Sequence, residues 1–248
     1  MALEIEQVAL VLHSRPYKET SLLLTLITPD QGKINALVKG VRSKSKSAAI
    51  KQAWCQPFQE IRVRWTEKGL QKQPGLVNIH QFEPTQIRFP LQGEANICGL
   101  YVNELLYRLL YPQVPVESLY QIYQQTLYDL AIAQDRHAQA WALRQFEYEL
   151  LMSLGIAFEL SFDTQQLPIE AHLKYRFYPE LGAVLETTAS QSSELSAFGS
   201  QISGQCLLQF AQFEPCESCM QEWKRLFRNL LNHYLGGKPI QTRALFQS

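Results

Sequence analysis

Hydrophobic and polar side chains alternate in several stretches of the first 80 residues, which is typical of β-strands with one buried face. The predicted strands are Val8–Pro16, Ser21–Thr28, Gln31–Lys39, Phe58–Trp65 and Gly75–Phe82. In the fourth strand, Ile61, Val63 and Trp65 share one face and Arg62 and Arg64 share the other. Because closure removes the exposed edges of a sheet, five short strands favour a small closed barrel.

After Leu91 the hydrophobic residues recur every three to four positions, which predicts amphipathic helices. The first helix carries a stripe of Cys98, Val102, Leu105, Leu106 and Leu109, and the others are Val116–Ala133, Ala138–Leu154 and about 217–235. Gly155 is expected to end the third helix. Glu147 falls on the apolar face of that helix, so it requires a cationic partner, either Arg108 or Arg144.

The helical period is lost between about 157 and 204. Lys174–Pro179 and Gly182–Glu186 predict a short hairpin or an irregular insert, and the small polar residues of Thr187–Gly204 predict a mobile linker. The predicted fold class is therefore α+β. Residues 1–82 form a five-stranded oligonucleotide-binding (OB) β-barrel, and residues 83–248 form a helical domain with this insert.

Charge is distributed unevenly, although the net charge is zero. Residues 1–80 hold 12 Lys and Arg against 6 Asp and Glu, and the remainder holds 11 against 17. The excess is concentrated between the third and fourth strands, in a segment without a carboxylate. Its cations are Lys39, Arg42, Lys44, Lys46 and Lys51. Glycine and serine between these cations predict a flexible basic loop that fits a polyanion, although a solvated surface loop is the alternative.

Four more cations are candidates to extend this basic surface. Arg15 and Lys18 lie between the first two strands, and Arg62 and Arg64 lie on the fourth. Alternation alone does not tell which barrel face they occupy, so a solvated strand edge is the alternative. The aromatic residues available for stacking on bases are Trp54, Phe58 and Trp65, and the alternative for them is the barrel core.

Motifs for catalysis and metal binding are missing from the sequence. It has no phosphate-binding Walker loop, no GxSxG and no HExxH, and its five histidines are scattered, so we expect a non-enzyme without a cofactor. Five cysteines in a chain with a full core predict reduced thiols. Cys206, Cys216, Cys219 and His233 are the only candidate zinc ligands, and they lack the paired spacing of a tetrahedral site, so no metal is expected.

Targeting segments are likewise missing. No apolar run reaches the roughly 18 residues of a membrane span, and the amino terminus carries acids where a signal peptide carries cations. We therefore expect a cytoplasmic, nucleoid-associated protein without membrane contact.

Five segments, in order along the chain, resemble the bacterial RecO family of recombination mediators and DNA-repair proteins. They are Val11–Leu24, Gly32–Ser43, Gly99–Leu106, Leu143–Gly155 and Tyr234–Phe246. The resemblance implies an amino-terminal OB barrel and a helical body. It also implies binding of single- and double-stranded DNA, annealing of complementary strands, association with RecR, and docking to the acidic tail of single-stranded-DNA-binding protein (SSB). These activities help RecA load onto coated DNA.

The SSB tail requires an apolar pocket beside a cation, because the tail is acidic and ends in a bulky apolar residue with a free carboxylate. The candidate residues are Tyr101, Leu105, Arg108, Arg144 and Tyr148. The alternative is that Arg144 and Arg108 only pair with Glu147 or Glu104.

A second basic group near the carboxy terminus is a further candidate for DNA. It contains Lys224, Arg225, Arg228, Lys238 and Arg243, of which Lys238 and Arg243 are added to the predicted DNA contacts. Two other functional classes stay open, a protein–protein adaptor whose barrel binds no nucleic acid and a cysteine-dependent enzyme.

Overall fold

The computed structural model of the chain describes residues 3–66, 76–156, 158–186 and 198–247. The chain divides into two compact units. The first unit contains Met1–Ile132 and Ile240–Ser248, and the second contains Ala133–Pro239. The two units are described separately below.

The first unit is built on a six-stranded sheet. Its strands are β1 (Glu4–Tyr17), β2 (Ser21–Thr28), β3 (Gly32–Val38), β4 (Gln59–Thr66), β5 (Leu76–Asn78) and β6 (Gln81–Arg88). The strand order is β5-β3-β2-β1-β4-β6, with β5 parallel to β3 and all other neighbours antiparallel. Ile61, Val63 and Trp65 of β4 are fully buried, as the alternation predicts. The predicted α+β class, with an OB-type sheet ahead of helices, is confirmed, but the sheet has six strands where five were predicted, and its edge strands do not pair to close a barrel within the described residues.

The strand predicted over Gly75–Phe82 is in fact parts of two strands, β5 and β6. Ile79, between them, donates its N–H to the Leu37 carbonyl of β3 at 3.1 Å, and His80 donates its N–H to the Arg64 carbonyl of β4 at 3.0 Å. The connection between β5 and β6 is therefore hydrogen-bonded to both β3 and β4. Within the described residues, the edge strands β5 and β6 do not pair with each other. The boundary predicted after residue 82 lies inside β6.

Part of the predicted basic loop is a helix, α1 (Lys46–Trp54). Ser45 begins it, because its hydroxyl accepts the N–H of Ala48 at 3.2 Å. Ala48 is the only buried residue within α1. The amphipathic stripe that reveals most helices is therefore absent, and the loop prediction is wrong from Lys46 onward.

Two longer helices, α2 (Gly93–Leu109) and α3 (Glu117–Ile132), pack on the sheet through buried polar contacts. Asn103 of α2 donates to the Leu12 carbonyl of β1 at 2.9 Å, and the Tyr123 hydroxyl donates to Asn103. The buried Glu60 carboxylate of β4 accepts hydrogen bonds from Tyr120 and Gln124 of α3, both at 2.8 Å. These bonds satisfy groups that would otherwise be costly to bury.

The connection between α2 and α3 lies directly on the β2–β3 turn. Gln113 donates its N–H to the Lys33 carbonyl at 3.1 Å, and Val116 donates its N–H to the Pro29 carbonyl at 2.9 Å. Gly32 has a φ of +58°, and a Cβ at this position would lie 1.8 Å from the carbonyl oxygen of the connection. Only glycine therefore fits this turn.

The second unit combines three helices with a small sheet in the residues that the structure describes. Its elements are α4 (Arg136–Ser153), β7 (Lys174–Tyr178), β8 (Gly182–Leu185), β9 (Ser200–Ser203), α5 (Gly204–Ala211) and α6 (Met220–Tyr234). The β7–β8 hairpin was predicted. Strand β9 lies in the predicted linker and pairs with β7, and residues 187–197 of that linker lie outside the described residues. Helix α5 was not predicted. A short 3₁₀ helix, Gln241–Gln247, follows in the first unit.

Two sequence-based expectations about side chains in the second unit have opposite outcomes. The Arg144 guanidinium donates to the Glu147 carboxylate at 2.7 Å, so Arg144 is the predicted partner of this buried acid. Cys206 and Cys219 form a disulfide, so the expectation that all five cysteines are reduced thiols is wrong. A 13-residue separation gives no signal of the pairing in the sequence, because the two cysteines meet only when α5 packs beside the start of α6.

Across the part of the chain that the structure describes, no helix is long and apolar enough to cross a membrane.

Candidate nucleic-acid interface

Arg42 brings the predicted basic loop against the β1–β2 turn. Its N–H donates to the Thr20 carbonyl and its Nη1 donates to the Lys18 carbonyl, both at 3.0 Å. These bonds make one surface from two segments, which we call the basic end. It consists of Arg15, Lys18, Lys39, Arg42, Lys44, Lys46 and Lys51.

The charge of the basic end is exposed and largely unbalanced. Six of its seven cations are exposed and Arg42 is half-buried. Glu19 is the one carboxylate within Arg15–Thr20 and Lys39–Lys51. Lys39, Lys44 and Lys46 form no ion pair with any residue that the structure describes. Seven cations against one acid leave a net charge of +6, which attracts a polyanion over about a Debye length.

Hydroxyl and backbone donors lie among these cations. The Ser45 hydroxyl oxygen lies 3.2 Å from the hydroxyl oxygens of both Ser43 and Ser47, and it also caps α1. The amino-terminal end of α1 adds a partial positive charge at Lys46. The basic end therefore offers both charge and directed hydrogen bonds to phosphate oxygens.

An aromatic strip that the sequence analysis missed runs beside the basic end. His13, Arg15 and Tyr17 alternate on one exposed face of β1, and the Lys18 ammonium lies 5.6 Å from the centre of the Tyr17 ring. Tyr17 is 41% exposed. The two-residue alternation of His13, Arg15 and Tyr17 is the signal of this face in the sequence.

Tyr107 of α2 continues this strip. It is 49% exposed, and its ring centre lies 6.3 Å from that of His13. The Lys33 ammonium lies 5.5 Å from the Tyr107 ring and donates to the Tyr107 carbonyl. Burial lowers the pKa of Lys33. The strip thus places aromatic faces and cations side by side, as stacked bases and their phosphates require.

The three aromatic residues considered from the sequence are unsuited to stacking. Trp65 is buried in the hydrophobic core of the sheet, and Trp54 is half-buried against this core with its ring centre 6.0 Å from that of Phe82. Phe58 is buried beside Gly99 of α2 instead. The core alternative is therefore correct for Trp65.

Arg62 and Arg64 do not join the basic end. Both arginines form ion pairs with Glu6, and the Arg62 guanidinium lies 3.6 Å from the Glu6 carboxylate. Arg62 also forms an ion pair with Glu83 at 3.6 Å. Glu6 and Arg15 are nine positions apart on β1, which is about 30 Å along an extended strand. Two arginines and two glutamates make this region neutral.

The predicted carboxy-terminal contacts lie in different units. The Arg243 guanidinium lies 5.8 Å from the centre of the Tyr101 ring in the first unit. Lys238 is exposed in the second unit, as are Lys224, Arg225 and Arg228 on α6. The structure therefore places Lys238 and Arg243 in separate compact units.

The residues predicted to bind the SSB tail are also divided between the units. In the first unit, Tyr101 and Leu105 are buried on α2, and Arg108 donates to Glu104 at 3.2 Å. In the second unit, Arg144 is buried against Glu147, and Tyr148 packs on neighbouring aromatic rings. The ion pairs offered as the alternative are therefore both present.

Glu104 also holds the carboxy-terminal segment. Its carboxylate accepts the N–H groups of Gln241 and Thr242, both at 2.8 Å, and the Thr242 hydroxyl at 2.9 Å. Burial alone would raise the pKa of Glu104, but these bonds and the one from Arg108 lower it. The ionised carboxylate therefore clamps Gln241–Gln247 to α2.

No three His, Cys, Asp or Glu side chains cluster into a metal site within the described residues. The zinc candidate of the sequence analysis does not form, because Cys206 and Cys219 are oxidised to a disulfide and have no thiolate to offer. His233 instead contacts Glu180 at 2.9 Å.

Comparison with known proteins matches nearly the whole length of the chain. The family described as recombination protein O, N terminal, matches residues 1–88, and recombination protein O, C terminal, matches residues 90–243. The chain is similar to a DNA repair protein RecO from Mannheimia succiniciproducens, with 36% identity over 95% of this chain and 96% of that protein. DNA repair protein RecO from Nitrosospira multiformis is 35% identical over 97% of this chain and 94% of its own length.

Among solved structures, an aspartyl tRNA synthetase from Entamoeba histolytica aligns with 64% of this chain and 36% of its own, at 16% identity and a TM-score of 0.27. A likeness this weak carries no argument.

Proposed function

The chain belongs to the RecO family of DNA-repair proteins, and from this premise we propose that it is a recombination mediator that binds single- and double-stranded DNA through the basic end. The observation that carries the proposal is the set of seven cations that Arg42 assembles from two segments. Counterion release on neutralising phosphates favours such a complex. The strip of Tyr17, His13 and Tyr107 would add stacking, worth roughly 1–3 kcal/mol per base.

We further propose that the protein anneals complementary strands. Two strands repel each other through their phosphates, and a surface of net charge +6 lowers this repulsion without forming any covalent bond. This role requires no cofactor and no catalytic residue, so the proposal is for a non-enzyme that works beside the nucleoid in the cytoplasm.

The proposal extends to protein partners on the basis of family membership. RecR and the SSB tail are the proposed direct partners, and loading of RecA onto SSB-coated DNA is the proposed outcome. For the SSB tail, Tyr101, Leu105, Arg108, Arg144 and Tyr148 stay candidate contacts. Binding through Arg144 would require its guanidinium to leave Glu147, whereas Arg108 and Tyr148 already keep partial exposure.

Fluorescent single-stranded DNA titrated at several salt concentrations tests the proposal. We expect binding that weakens steeply with salt, followed by faster pairing when a complementary strand is added. Binding that is absent at low salt would support the alternative of a protein–protein adaptor with an OB barrel.

A further inference from the structure

A cavity of about 310 Å³ opens in the second unit, whereas the basic end belongs to the first. It lies between the segment around Phe158, the β7–β8 hairpin and the end of α6. Its volume is at the small end of the range for ligand pockets, about 300–1,000 Å³. The cavity therefore has room for one or two side chains of a partner.

Three carboxylates line this cavity, Glu159, Asp163 and Glu180, and its described lining contains no lysine or arginine. Asp163 is only 7% exposed. Its Oδ1 accepts the N–H groups of Gln165 at 2.8 Å and Leu167 at 2.9 Å, whereas no described group donates to its Oδ2. Asp163 Oδ2 keeps some contact with solvent, so it can accept a hydrogen bond from a cationic group that enters the cavity.

Aromatic rings complete the walls. Phe158 and Phe177 meet edge to face at 5.7 Å, and Tyr234 and Phe162 also line the cavity. Burial, and then the nearby Glu180 carboxylate, raise the pKa of the Tyr234 phenol, which is consistent with a negative potential at this wall. Aromatic faces and carboxylates together favour a cation that carries an apolar stem.

We propose that this cavity binds an arginine or lysine side chain of a protein partner, in which apolar residues flank the cation. Charge complementarity with the three carboxylates selects the cation, and each carboxylate has one oxygen engaged within the protein: Glu180 Oε1 lies 2.9 Å from His233 Nε2, and Glu159 Oε1 accepts the N–H groups of Leu160 and Ser161. The rim selects a peptide over a small free amine, because Phe162 and Leu181 are 42% and 65% exposed and would be covered by the flanking apolar residues. An acidic peptide or a phosphate is repelled by the same carboxylates.

The full-length protein can be tested with a fluorescent acetyl-Leu-Arg-Leu-amide and with its citrulline analogue, which has nearly the same shape but no charge. We expect the citrulline peptide to bind at least about tenfold more weakly, since a charged partner is lost at a buried carboxylate. Spermidine, which has charges but no apolar flanks, should also bind at least about tenfold more weakly.

Asp163→Asn with Glu180→Gln keeps the shape of both side chains, and the asparagine oxygen can still accept the two turn N–H groups. This double variant should lose at least about tenfold in affinity for the arginine peptide, whereas the control Glu170→Gln, an exposed acid outside the cavity, should lose none. DNA binding and the melting temperature should be unchanged in both. The proposal is overturned if the arginine peptide does not bind, if citrulline or spermidine binds equally well, or if the control matches the double variant.

Discussion

Removing charge from the basic end without touching its contacts is the sharpest mutational test of DNA binding. Lys44, Lys46 and Lys51 are exposed and make no ion pair with a described residue. Arg42 is unsuitable, because its guanidinium holds the β1–β2 turn through Lys18. We therefore choose the triple substitution of Lys44, Lys46 and Lys51 by alanine, which should change the free energy of unfolding by no more than about 0.5 kcal/mol per site.

The expected size of the effect follows from counterion release. Each phosphate neutralised on a single strand contributes about 0.7 to the slope of log affinity against log salt. If all seven cations contact phosphates, the slope is about −5, and the affinity should fall about 1,000-fold between roughly 50 and 200 mM salt. With four cations the slope is about −3, and the fall should be only about 50-fold.

Anisotropy of a fluorescent single strand at several salt concentrations measures both slopes. The matched control is Lys224, Arg225 and Arg228 replaced by alanine, which removes the same charge from the exposed side of α6. We expect this control to keep the wild-type slope. An unchanged slope in the first variant together with a reduced slope in the control would refute the assignment and move the site to α6.

Three further predictions test the fold. Gly32→Ala should lower the melting temperature by about 5 °C or more, because strain at positive φ adds to a backbone clash; Gly40→Ala, with positive φ but open space, should have the smaller effect. Reducing the Cys206–Cys219 disulfide should lower the free energy of unfolding by up to about 3 kcal/mol in urea titrations, from loop entropy, and no change would contradict the pairing. Burial raises the pKa of Cys55 to about 12, so at pH 8 mass spectrometry should detect its alkylation only after unfolding; native labelling would contradict its burial.

The predictions from sequence succeeded where a periodic pattern reported burial. Ser21–Thr28 was placed at its observed bounds, the faces of β4 are as predicted, and α6 lies within the predicted range of about 217–235. They failed at α1, where little burial leaves no pattern, and at β9 and α5, which are too short for a periodic pattern to identify. Helix α1 buries only Ala48, and β9 is a four-residue strand whose partner is 22 positions or more away in sequence.

The candidate site shows the same division. The excess of lysine and arginine in the sequence predicted an exposed basic segment, because a charged side chain reaches solvent without depending on any tertiary contact. It could not tell that Arg42 joins the β1–β2 turn or that Glu6 lies beside Arg62 and Arg64, since these contacts depend on strand register. The sequence also could not show that Tyr107 belongs to the aromatic strip, because Tyr107 reaches His13 only through the packing of α2 on the sheet.

Photocrosslinking tests the central claim most directly, because it reports which residues touch DNA. The protein would be bound at low salt to a single strand that contains 5-bromodeoxyuridine, and the complex would be irradiated. The crosslinked protein would then be digested, and its peptides identified by mass spectrometry. We predict crosslinked peptides from His13–Lys18, from Lys39–Lys51 and around Tyr107. Crosslinks confined to the second unit, or none at a concentration where binding is saturated, would contradict the account.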